Sequence, residues 1–443
     1  MRDWRGEGMN YQYKENGIKI SSLLLCFMVV ISFLFHNTIY AFSITGYVLI
    51  AASICGLGII TKTDSTFSIN SMTCAWLPAI AAMFISYFWQ STRKISAEMD
   101  MLILFVAMVF CIFSYYEKSA YMLCIKVIVF IALIHGFGVI IQQFIPSLYK
   151  VCVEFLPDSM INVVLSSRHN GFTTNPGFAA TFICAGIIAL FTMIVDEQKI
   201  TFRNRILMLF FIIALLFTNK RAHPVFLVMS LLTVWLMPVG GSSRAGKYWK
   251  IFIAVIGLLI SYFAFKDLLV KIPFISSAVQ TIDGLMLGED ITSSRSALFS
   301  WAWSLFEQNP VFGIGWGDFR YTIVGVITHS TELDTHNIYL QLLCETGIVG
   351  FVCFVVPFVL FWIKAKKAYC RCAAGEDEIS KTWKSPLFFS FVFQTLFLIC
   401  GFTGNPLYDP CWMILYMFAC SITMSFVTLE KQIEESEQEK LNL

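Results

Sequence analysis

Imidazole and cationic side chains recur in this chain beside long apolar runs. Arg168 adjoins His169, Lys220 and Arg221 come just before His223, and Arg295 stands ahead of His336. Guanidinium forks match the oxygen geometry of phosphates, and an imidazole exchanges its proton near neutral pH. Brought together where water is partly excluded, such groups would grip a multiply negative group and move a proton beside it. His336 has the strongest local setting. Asp334 and Thr335 are expected to cap a helix that begins near Asn337. The ring would then stand beside unsatisfied backbone N–H groups and the positive end of the helix dipole. The plain alternative for each arginine is an interfacial residue reaching toward water or lipid head groups, and for His336 a simple cap.

The elements that must position these groups are membrane helices. Of 443 residues, 57% are hydrophobic and only 14% charged, too apolar for a chain with one solvated surface. Apolar runs long enough to cross the hydrocarbon core recur near 18–35, 39–60, 69–89, 99–116, 121–144, 177–195, 206–218, 225–239, 249–265, 338–363, 387–402 and 411–427. They predict an all-α, polytopic membrane protein with about twelve spans, the run at 206–218 being the shortest. The first run lacks a small-residue cleavage site after it and reads as a retained helix.

An even number of spans puts both termini on one side, which collects about 20 of the Lys and Arg residues against about 10 opposite, so the termini are expected to be cytoplasmic. His36, His169, His223, His329 and His336 then all fall on the external side, and only His135 sits deep in a span. The connections 146–176 and 266–335 are long external segments, and long loops in compact folds are usually functional. Within the second, 296–306 carries Leu298, Trp301, Trp303, Leu305 and Phe306, as suits a helix lying on the membrane surface. The chain reads as a single membrane domain over 1–443, containing the long extracytoplasmic loop 266–335.

Several function classes are disfavoured. A net charge of +2 with no basic stripe interleaved with aromatics gives no reason to expect a nucleic-acid partner. The 14 cysteines fall almost entirely within spans, so no disulfide framework is expected. Cys370 and Cys372 lack a second pair, and the histidines show no H-x3-H or H-E-x-x-H spacing, so no metal is expected. Gly313, Gly315 and Gly317 follow Pro310 as a turn, not as a nucleotide fingerprint, because no strand precedes them. The acidic stretch 430–439 reads as a solvated, partly disordered cytoplasmic end.

The region 295–350 carries a resemblance. Arg295, an aromatic helix, N-P-V-F-G-I-G-W-G-D-F and then H-N-I-Y-L-Q-L-L-C-E-T-G-I-V-G resemble the signature of the bacterial O-antigen ligase and O-antigen polymerase superfamily. R-H-N-G-F-T-T-N-P-G-F-A-A from Arg168 and T-N-K-R-A from Thr218 are similar to two upstream landmarks in the same order, with Gly177 standing where an Asn is common. The resemblance implies transfer of a glycan from undecaprenyl pyrophosphate to an acceptor hydroxyl at the outer face of the bacterial cytoplasmic membrane, without cofactor or obligatory metal.

The acceptor would be another saccharide unit or a lipid A core, with membrane lipid as the surroundings. The resemblance implies that Arg221 and Arg295 contact the pyrophosphate and that His336 assists catalysis with inversion at the anomeric centre. Lys220 and Arg168 are expected to add to the anion site, with Asn337, Glu345 and His169 in support. A flippase of lipid-linked sugars would instead show related halves and polar groups near the midplane. A metal-dependent polyprenyl-sugar transferase would carry acidic pairs in its first external loop, where only His36, Asn37 and Thr38 stand. A protein O-oligosaccharyltransferase of the same superfamily remains the other alternative.

Overall fold

The computed structural model describes residues 71–88, 117–154, 169–237, 279, 283, 295–324, 326–327 and 333–441. The expected spans at 18–35, 39–60, 99–116 and 249–265, and Arg168, lie outside the described residues. Within them the chain is helical: α1 Leu77–Tyr87, α2 Lys118–Phe144, α3 Pro146–Val153, α4 Pro176–Glu197, α5 Phe202–Phe217, α6 Ala222–Trp235, α7 Arg295–Gln308, α8 Phe319–Thr322, α9 Ile338–Ala374, α10 Glu378–Cys400 and α11 Pro410–Leu441, with a 3-10 turn at Pro406–Tyr408. Five of these, α2, α4, α9, α10 and α11, are long and apolar enough to cross a membrane.

Packing between helices in lipid depends on close approach, because hydrocarbon offers no hydrophobic drive to association. Small residues supply that approach between α2 and α4, where a Cβ on Gly186 would collide with the Ala132 methyl carbon. α10 and α11 form the centre, each with 83% of its most apolar stretch buried, against 39% for α9. α9 leaves Val352, Val356, Val359 and Ile363 exposed along one side. Its other side joins an aromatic core in which Trp76 and Phe397 both pack on Tyr416, and Phe358 meets that ring edge-on at 5.5 Å.

The helix ends sort to two faces. Lys118 Nζ lies 2.8 Å from Asp196 Oδ1, which also accepts from Ser385 Oγ at 2.7 Å, so the start of α2, the end of α4 and the start of α10 share one face. At the other face Phe144 meets Phe217 edge-on at 4.9 Å, and Tyr339 OH donates to Leu398 O at 2.7 Å. The candidate residues gather at this second face.

Two expectations are corrected. The stretch 430–439 is helical, an extension of α11 tied to α9 by an Arg371–Glu430 ion pair. The cap of α9 is Asn337 itself, whose Oδ1 accepts from Tyr339 N at 3.0 Å and Leu340 N at 3.1 Å. The β-region backbone of Asn337 frees its carbonyl and side chain to start the helix, the geometry asparagine favours at that position.

Candidate functional site

The site begins at the turn between α5 and α6. Thr218 closes α5 with its Oγ1 donating to Leu215 O at 2.7 Å, and Asn219 adopts a left-handed φ of 55° that reverses the chain. Asparagine tolerates that region better than most side chains. Lys220 emerges half-buried and Arg221 exposed. The Lys220 stem runs over the first turn of α4, where its Cε would stand 3.9 Å from a Cβ on Gly177. That turn is capped by Asn175 Oδ1, which accepts from Gly177 N at 2.7 Å. A lysine at a helix N-terminus sits at the positive end of the dipole, the end that favours an anion.

Arg295 opens α7, whose Leu298, Ala302 and Leu305 pack inward while Trp303 is exposed. Its Nη1 donates to Thr403 O at 2.9 Å, fastening α7 to the loop after α10. No carboxylate lies within ion-pairing distance of Arg295 or Lys220 among the described residues. Burial and then the Arg295 charge hold the Lys220 amine below the usual lysine range, and burial lowers Arg295 as well.

His336 lies between Thr335 and the cap of α9 with φ 57°, a left-handed conformation for a residue with a Cβ. Such a conformation costs about 1–2 kcal/mol and persists only where the surroundings enforce it. Burial pushes the imidazole below its ordinary value; Arg295 and Lys220 push the same way, and Asp334 opposes them. Asp334 is itself engaged by Arg320, 3.2 Å away. The net push favours the neutral ring, the form able to accept a proton.

Beneath this rim, Glu345 is fully buried and accepts from four groups: Gly317 N at 2.9 Å, Phe319 N at 3.2 Å, Gln341 Nε2 at 3.1 Å and Tyr408 OH at 2.6 Å. It seats the glycine-rich turn on α9. Ile314 N and Gly315 N bond to Cys344 O and Glu345 O, each at 2.9 Å, and Gly347, with φ 64°, interrupts the helical path to make room for Val311.

The sequence-derived candidates thus divide. The structure brings Lys220, Arg295 and His336 into one electrostatic neighbourhood. Asn337 caps the helix behind His336, and Glu345 braces the turn below it. Arg221 stands exposed at the start of α6. His169 Nδ1 donates to Phe217 O at 3.0 Å, tying the segment before α4 to the end of α5. Sequence reasoning missed Gln341, although its place midway between Asn337 and Glu345, at helical spacing, was a usable signal. It also assigned no role to His223, whose buried Nδ1 has no hydrogen-bond partner among the described residues and whose ring lies 6.4 Å from that of Trp412.

No curated protein matches the chain. Residues 206–355, which include Lys220, Arg221, Arg295, His336 and Glu345, match the family described as O-antigen ligase (Wzy_C). Residues 206–355 thus carry the likeness to the O-antigen ligase family, in a chain whose described residues include five helices long and apolar enough to cross a membrane.

Proposed function

We propose that this protein transfers a glycan from undecaprenyl pyrophosphate to an acceptor hydroxyl at the outer face of the bacterial cytoplasmic membrane, in surface-polysaccharide polymerisation or ligation. The observation that carries the reading is the cluster of Lys220, Arg295 and His336 at one end of the bundle, with two cations that no carboxylate neutralises among the described residues. Both termini are cytoplasmic in this reading, the chain crosses about twelve times, and the cluster faces outward.

The chemistry follows from the charges. Arg295 and Lys220 hold the diphosphate, with the N-terminus of α4 adding partial positive charge. Neutral His336 removes the proton from the acceptor hydroxyl as its oxygen attacks the anomeric carbon. The bond from that carbon to the diphosphate oxygen breaks, its electron pair leaves with the lipid diphosphate, and the cations stabilise the charge that develops there. Direct displacement inverts the anomeric centre. The proton on His336 then passes to water or to the departed diphosphate, restoring the neutral ring. Arg221, exposed at the start of α6, reinforces the approach of the anionic donor, and Arg168 adds to the anion site.

The test uses purified protein in lipid, a polyprenyl-diphosphate-linked oligosaccharide and a hydroxyl acceptor. Wild type forms glycosidic product and free lipid diphosphate, whereas His336→Ala and Arg295→Ala each lose activity by about 10²-fold or more while inserting normally. Full turnover by His336→Ala would remove the imidazole from the mechanism. Retention of polymer on the carrier lipid in a deletion strain identifies a ligase; loss of long chains with single units kept identifies a polymerase.

A further inference from the structure

Gln341 lies one helical turn beyond Asn337 and one before Glu345 on α9, and its side chain is fully buried. Both ends of its amide are used. Oε1 accepts from Thr335 N at 3.2 Å and from Asn405 Nδ2, while Nε2 donates to Asp334 Oδ1 at 3.2 Å and Glu345 Oε1 at 3.1 Å. Asp334 and Thr335 are the two residues before His336. Thr335 Oγ1 in turn donates to Asn337 O at 2.7 Å and accepts from Asn337 N at 3.0 Å, bridging His336 from one flank to the other.

A histidine at φ 57° needs this kind of constraint, because a left-handed residue relaxes toward φ < 0 unless both flanking peptides are held. Gln341 bonds both Asp334 and Thr335 as well as the carboxylate that seats the glycine-rich turn. We propose that Gln341 is the positioning residue of His336: its amide locks the strained backbone that aims the imidazole, and couples that aim to the seating of the glycine-rich turn through Glu345. The inference rests on the transferase reading above and extends it to a residue that contacts neither donor nor acceptor.

An amide is required because the two ends face opposite needs. Its oxygen meets N–H donors, and its nitrogen meets two carboxylates. Gln341→Leu removes both functions at similar size. Gln341→Glu keeps the acceptor but turns a third carboxyl toward Asp334 and Glu345. The titratable and charged groups around it are Asp334, Glu345, Tyr408 and Arg320. Once protonated, the introduced carboxyl has an O–H to donate to one of its acidic neighbours and so restores part of the lock.

The experiment measures product formation against donor concentration from about pH 5.5 to about pH 8.5, a window spanning the ordinary histidine range, for wild type, Gln341→Leu and Gln341→Glu in lipid. Misplacement of a reacting group costs up to about 10²-fold. Gln341→Leu is therefore expected to lower kcat by roughly 10- to 100-fold with the donor KM within about 2-fold, because Arg295 and Lys220 are untouched. The activity of Gln341→Glu relative to wild type should rise as pH falls, while that of Gln341→Leu stays flat. Wild-type kcat in Gln341→Leu, or a Gln341→Glu ratio independent of pH, overturns the proposal. If neither variant inserts, Thr335→Val replaces them: a loss in kcat alone supports the lock, and wild-type kcat overturns it. A wild-type protein that makes no product in this assay refutes the transferase reading instead, so the two failures are distinct.

Discussion

Gly313→Ala tests whether the glycine-rich turn is seated on α9 as tightly as the geometry requires. Gly313 has φ +72°, and a Cβ there would stand 2.5 Å from Thr346 N and closer still to the carbonyl carbon and oxygen of Glu345. All three are backbone atoms, so no side-chain rotation relieves the clash. They are also pinned, since Ile314 N and Gly315 N bond to the carbonyls of Cys344 and Glu345. The left-handed conformation costs an alanine about 1–2 kcal/mol, and overpacking a filled site typically adds about 1–3 kcal/mol. Their sum, about 2–5 kcal/mol, is large beside the marginal stability of most folds.

Gly177 supplies the control. Its φ is not in the left-handed range, and an added Cβ would meet only Asn175 Oδ1 at 3.1 Å and Lys220 Cε at 3.9 Å. A small side-chain adjustment accommodates Gly177→Ala, and the substitution stiffens the first turn of α4, so its stability should stay within about 1 kcal/mol of wild type. The assay is thermal unfolding of both proteins in the same detergent, followed by turnover in lipid. Gly313→Ala should melt several degrees lower and lose activity, because Gly317 and Glu345 lose their register; Gly177→Ala should do neither. Equal midpoints for Gly313→Ala and wild type would refute the close-approach argument outright.

Two further substitutions probe the charges. Lys220→Met removes a cation that pushes the His336 imidazole below its ordinary value, so the imidazole pKa rises and the acid limb of the rate profile moves to higher pH. Arg221→Ala, at an exposed position, should weaken donor binding and leave that limb where it is; a pH profile unchanged by Lys220→Met would detach the lysine from the site. Arg295→Lys keeps the charge but loses the planar fork, and turnover should fall by about 10²-fold; near-wild-type rates would reduce Arg295 to a point charge.

The membrane architecture was legible because its cause is compositional. A run such as 387–402 or 411–427 has to be helical and buried in lipid or protein once its polar backbone is denied water. The ends were less legible. α10 begins at Glu378, because Asp377 caps it through Ser380 N at 3.0 Å, and α9 runs on to Ala374, past the apolar stretch that betrayed it. Hydropathy reports the hydrocarbon core and is silent about helical turns that project from it. At the site, residue types pointed to His336 and Arg295, whose chemistry is local. Gln341 was passed over because a glutamine in an apolar helix has no intrinsic chemistry; its importance comes from partners at Asp334, Thr335 and Asn405, which only the fold assembles. The choice between Lys220 and Arg221 was equally invisible, because the left-handed turn at Asn219 decides which side chain points inward.

The other described cations with ion pairs show what is unusual about this pair. Lys118 is matched by Asp196 and Arg320 by Asp334, both partly withdrawn from water, while the exposed Arg371 and Lys431 pair with Glu430 and Glu435. The first two follow the rule that charges withdrawn from water find a counter-charge. Lys220 and Arg295 break it together, both partly withdrawn from water, with the Arg295 charge raising the cost of the Lys220 charge. A fold tolerates that arrangement against its own stability where function requires it. The penalty is relieved when a multiply negative group enters, and relief is greatest for an anion whose charge increases there during reaction. A leaving diphosphate meets that condition, and a neutral sugar hydroxyl does not. In the proposed reaction, the same field that strains the cations favours the unprotonated form of His336, so one electrostatic arrangement would serve both the leaving group and the base.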